Sequence, residues 1–127
     1  MNKDKLIELY KKYGLTKNDV FKHQHYVIIT RQGIDKIQAV EQMSVTYEVI
    51  RCETNFAVFK AYAEKEGKKI ETFGSALKGE GYKDGNTNSW YVAEMAEKRA
   101  MSRAVLKLTG FYELGVFGED ESESFKK

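Results

Sequence analysis

The sequence has no proline and a single cysteine, Cys52, in 127 residues. One cysteine excludes an internal disulfide, so the core must hold the fold, and a reducing compartment such as the cytoplasm is expected. The lack of proline leaves no stiff linker and favours long unbroken elements. No run approaches eighteen apolar residues, so no membrane-spanning helix is expected. The opening stretch MNKDKLIELYKKYG lacks the apolar centre of a secretory leader. Signatures of chemistry are missing too. His23 and His25 would share one face of a strand, but no HExxH, CxxC or second histidine cluster supplies the further ligands a metal needs. No Ser-His-Asp set is legible. The stretch Gly79-Glu80-Gly81-Tyr82-Lys83-Asp84-Gly85 matches neither a dinucleotide fingerprint nor a P-loop, and its acids would repel phosphate. Carboxylates such as Glu64 and Glu66 fall at a turn without a pocket. No cofactor, metal or enzymatic activity is expected.

What is there suits one small globular domain. Hydrophobic residues make up 42% and charged residues 31%, enough for a core and too apolar for wholesale disorder. A chain of this length buries roughly two-thirds of its unfolded surface without staples. Net charge is +2. Four acids and two bases fall in residues 119–127, leaving 19 bases against 15 acids, or +4, on residues 1–118. The expected organisation is an α+β domain over 1–118 and a flexible acidic tail over 119–127. A basic body with an acidic tail is a first hint of a polyanionic partner.

Hydrophobic spacing predicts an N-terminal helix over 4–13, capped by Asp4 and closed by Gly14. A helical turn is expected at Lys17–Lys22 behind Thr16, then a β-prone run at Tyr26–Thr30 and a short helix at Gln32–Val40. Three strands follow, at Ser44–Arg51, Phe56–Glu64 and Lys69–Ser75. Their connections are too short for parallel crossovers, so they form an antiparallel meander, with Gly67 serving the second turn. The glycine-bearing loop 78–88 leads to a long helix capped by Ser89, running to about Leu108 and ending at Gly110. The resulting fold class is α+β, a meander packed on a long C-terminal helix through the Ala93, Ala96, Ala100 and Ala104 stripe.

Two patterns carry functional meaning. Arg99, Arg103 and Lys107 recur at i, i+4, i+8 beside the alanine stripe, next to Lys98. Such a row can track phosphates along a strand, although charge runs are more often solvated faces with snorkelling stems. The meander and its loop interleave bases with rings, including Arg51, Phe56, Lys60, Tyr62, Phe73, Lys78, Tyr82 and Trp90. Single-stranded nucleic acid uses both, although most such rings serve a core.

The segment Ala96-Glu97-Lys98-Arg99-Ala100-Met101-Ser102-Arg103-Ala104-Val105-Leu106, followed by Gly110, resembles the A-x-K-R-A-L-x-x-x-G pattern of the single-strand annealing recombination proteins. These include the phage Erf, RecT and Redβ groups and the Rad-fifty-two type. Thr72-Phe73-Gly74-Ser75 resembles their glycine turn leaving the meander, and the likeness extends over roughly residues 26–112. It implies a β-β-β-α core, assembly into rings or filaments, and single-stranded DNA held in a positive groove between sheet and helix. Lys98 and Arg99 match the family's inner-groove pair. Ser102 stands where a further family arginine falls, with Arg103 one position later. A basic residue before the meander is also implied, which Arg31 or Lys36 can supply. The expected function is therefore ATP-independent single-stranded DNA binding and annealing, phage or mobile-element encoded, with Lys98, Arg99, Arg103, Lys107, Lys36 and Arg31 as contacts. The alternative is an α+β protein-interaction module with no nucleic-acid role.

Overall fold

The computed structural model describes residues 3–23, 26–79, 85–87 and 90–119. Helix α1 spans Lys3–Tyr13 and buries Leu6 and Tyr13. It ends in a left-handed glycine, Gly14, with Gly14 N donating to Lys11 O and Leu15 N to Tyr10 O. That pair of bonds satisfies two of the carbonyls a helix end leaves bare. Strand β1 (Val20–His23) and strand β2 (Tyr26–Ile29) then pair antiparallel. The helical turn expected at Lys17–Lys22 is therefore replaced by a turn at 17–19 and a strand from Val20. The reason lies in Asp19, whose Oδ2 accepts from the Thr16 N–H and hydroxyl at 2.9 and 3.1 Å. Its carbonyl accepts from Thr30 N at 2.8 Å. A side chain that bonds its own preceding backbone competes with helix.

Helix α2 (Arg31–Glu41) is capped by Thr30, whose Oγ1 accepts from Gly33 N, and by the Glu119 carboxylate, which accepts from Arg31 N at 3.0 Å. An anion there also complements the helix dipole. Glu119 opens the segment expected to be a flexible tail; the remainder, 120–127, lies outside the described residues. The meander follows as expected, with β3 (Ser44–Cys52), β4 (Phe56–Lys65) and β5 (Lys68–Leu77) in the order β3-β4-β5. Its second turn uses left-handed Glu66 and Gly67, the geometry that matches the twist of a two-residue hairpin.

Helix α3 (Val92–Thr109) starts later than Ser89, and Ser89 lies outside the described residues. Tyr91 precedes it without a side-chain cap, and left-handed Gly110 ends it. A single 3₁₀ turn (Tyr112–Leu114) leads to β6 (Val116–Gly118), which runs parallel to β2. A small sheet, β1-β2-β6, thus joins the expected meander. Around α3 the main core gathers Ile29, Ile34, Ile37, Val105, Leu106 and Phe111, all fully buried. Tyr10 and Tyr13 pack on Phe111 with ring centroids 6.3 and 5.9 Å away.

Two carboxylates tie these pieces together. Asp19, fully buried, pairs with Lys36 at 2.7 Å. Glu41 accepts from the Tyr13 hydroxyl at 2.9 Å and pairs with Lys65 and Lys12, linking α1, α2 and the β4 end. Lys36 holds the Asp19 carboxyl below the usual range. Burial would raise Glu41, but Lys65 and Tyr13 outweigh it and leave that carboxyl lowered as well.

Candidate nucleic-acid interface

The strand alternation gives the meander two unlike faces. Toward α3 it turns Ala57, Ala61, Ala63, Thr72, Gly74 and Ala76, all buried. A Cβ built on Gly74 would sit 2.2 Å from Ala96 O and 2.4 Å from Ala100 N, so helix and strand meet backbone to backbone. The Thr72 hydroxyl donates to Ala100 O at 2.7 Å. The alanine stripe does what its spacing predicts: it lets the axis come close.

The register places Phe56, Lys60 and Tyr62 on the other face, opposite Leu77, Phe73 and Glu71 of β5. This face is open, with Phe73 49% exposed. The Lys60 ammonium stands 5.1 Å from the Tyr62 ring centroid and 5.4 Å from that of Phe73. The Arg51 guanidinium lies 5.2 Å from the Phe56 ring. At the loop end, Lys78 sits 4.3 Å from the ring of Trp90, which is 63% exposed. A depression of about 250 Å³ extends the face toward the hairpin turn, lined by Ser44, Tyr62, Glu64, Lys69 and Glu71. Rings beside cations on an uncovered sheet can stack bases and meet a backbone. Acids temper the charge: Glu71 lies 2.5 Å from Lys60 and raises the pKa of its ammonium, Glu48 accepts from the Tyr62 hydroxyl, and Glu53 pairs with Arg51.

The basic residues of α3 divide by their position around the helix. Arg99 is 4% exposed, and it donates through Nη1 to Ser75 O and through Nη2 to Asn86 O, both at 2.8 Å. Arg103, half-buried, donates through Nη1 to Phe73 O at 2.9 Å. Four helical residues rise about 6 Å and two strand residues about 6.6 Å, so an i, i+4 pair reaches alternate carbonyls of one strand. Both guanidinium groups therefore serve the outer edge of β5. Lys98 is half-exposed and lies about 100° around the helix from Arg99. Lys107 is exposed, with its ammonium 5.3 Å from the Tyr112 ring. Lys36 is paired with Asp19, and Arg31 starts α2 beside the small sheet.

Of the expected contacts, only Arg99 and Arg103 come together, and Arg103 is the one beside Phe73 of the open face. The sheet's own Lys60 and Arg51 belong with it; the interleaving of basic residues and rings through the meander was the signal for them. Tyr82 and Lys83 of the glycine loop, and His25, lie outside the described residues. Among the described residues no three His, Cys, Asp or Glu side chains are grouped to hold a metal ion. No helix there is long and apolar enough to cross a membrane. Compared with known proteins, the chain matches no protein-family model, no curated protein and no solved structure.

Proposed function

We propose that this chain binds single-stranded DNA across the open face of the meander and promotes strand annealing without ATP, as the proteins its α3 segment resembles do. One observation carries the reading: Lys60 stands between the rings of Tyr62 and Phe73 on an uncovered sheet face. Stacking of a base on an exposed ring contributes about 1–3 kcal/mol and tolerates any sequence. Lys60 and Arg51 would exchange their carboxylate partners for phosphates, and Arg103 would meet the strand where it leaves over β5. Lys98 and Lys107 would add outlying phosphate contacts. Annealing is downhill once two strands are held open, so no nucleotide cofactor is called for.

The test is fluorescence anisotropy of a labelled single-stranded oligonucleotide across a salt series, with duplex as competitor. Binding that prefers the single strand, falls steeply with salt and weakens in Phe73→Ala supports the reading. Lys60→Ala should lower the log–log salt slope by about 0.7, the share of one phosphate contact. No binding at low salt rejects it. The rival reading, a protein-interaction module, draws on a different feature, the exposed strand β3.

A further inference from the structure

The two edges of the meander are finished differently. Along β5, Arg103 and Arg99 occupy the carbonyls of Phe73 and Ser75. Asn86 completes the closure, accepting from Leu77 N at 2.7 Å and donating to Leu77 O and Ser75 O. An edge so occupied cannot accept another strand. β3 has no counterpart to this closure: among the described residues its strand pairing is with β4 alone. Eight of its nine residues are exposed, among them Val49 at 56%, Ile50 at 45% and Tyr47 at 38%. A long, exposed, apolar edge is a template for strand addition.

Its sequence names the strand that fits. A bulge falls between Val49 and Arg51, so Glu48 and Arg51 share one face of the sheet, flanking Val49. An antiparallel copy of β3 centred on Val49 would set each Val49 against its mate. Each Glu48 would then face the Arg51 of the second copy, and each Tyr47 the second copy's Cys52. With Ile50 of each copy held out of the pairing by the bulge, the pairs across residues 47–52 are charge-complementary or apolar. A head-to-tail ring, by contrast, would need the β5 edge that the arginines and Asn86 occupy.

We infer that β3 is a self-association edge, through which two copies of this chain join about Val49 into one two-fold, six-stranded sheet. Such a contact is isologous and closed, so it stops at two. The inference does not rest on nucleic-acid binding.

Light scattering of the full chain should give twice its 14.6 kDa mass. Glu48→Arg sets like charges across the axis and should return the protein to monomer, while Glu48→Arg with Arg51→Glu should restore the dimer. Val49→Cys in a Cys52→Ser background should cross-link under mild oxidation, because directly opposed residues stand about 4.5–5.5 Å apart between Cα atoms, within disulfide reach. A monomer at every concentration overturns the inference. So does an assembly larger than two, or a dimer that ignores the charge swap and leaves the introduced thiols uncoupled. Circular dichroism confirms that each variant is folded.

Discussion

The two ends of α3 hold their surroundings by different means. Toward its C-terminus, Val105, Leu106 and the following Phe111 are fully buried in a core with Ile29, Ile34 and Ile37. Toward its N-terminus the buried cluster is Ala57, Phe59, Ala76, Val92 and Ala96, mostly small side chains. One end gains from the volume of apolar groups removed from water, the other from closeness of backbones. A region built on volume weakens when side chains shrink; a region built on closeness weakens when they grow. The second arrangement also spares the sheet a thick cover, and its opposite face stays open.

The comparison breaks most visibly at Phe111. Phe111→Ala should cost about 3–5 kcal/mol, seen as a fall in the urea midpoint of a chain otherwise unchanged. The reverse substitution tests the other end: Gly74→Val places carbon where Ala96 O and Ala100 N now stand and should cost about 3 kcal/mol. If Gly74→Val is tolerated, the backbone contact is not what seats the helix. Arg99→Met keeps the stem but abandons the carbonyls of Ser75 and Asn86, for about 2 kcal/mol. Hydrogen exchange at β5 should rise in this variant before exchange at β2 does.

Acid should loosen the larger core first. Asp19 and Glu41 both have lowered carboxyl pKa values in the folded chain. Through the ordinary carboxylate range the unfolded chain therefore binds more protons than the folded one. The stabilisation is fully present above that range and is lost as pH falls through the folded values. Urea midpoints measured from neutrality downward should stay level and then decline, and Asp19→Asn should flatten the decline. The smallest effect belongs to Phe73→Ala, which should leave stability within about 0.5 kcal/mol because the ring is half in water. A large loss there would mean that the ring serves the core rather than the open face.

Much of the meander and α2 was legible because their elements are long, nine to eleven residues, with alternation sustained along β4 and β5 and over Val45–Val49 of β3 up to its bulge. The small sheet was legible only in β2, where the β-prone run at Tyr26–Thr30 forms a strand. β1 has four residues and β6 three, below the length at which alternation can be told from chance. Its central pairing, β2 with β6, also leaves no local trace. The division of the arginines was hidden for a related reason. The i, i+4 spacing of Arg99 and Arg103 announces a common line on the helix, but only the sheet determines whether that line meets solvent or the carbonyls of a strand.

The pairing of β2 with β6 bears on how the chain is made. Val27 and Val116 are partners 89 residues apart. At ribosomal speeds of about 5–20 residues per second, Val27 waits roughly 4–18 s for its neighbour to be synthesised. The meander needs no such delay, since its three strands follow one another directly. The meander can take shape while the chain is still growing, and the small sheet closes only once β6 has been made.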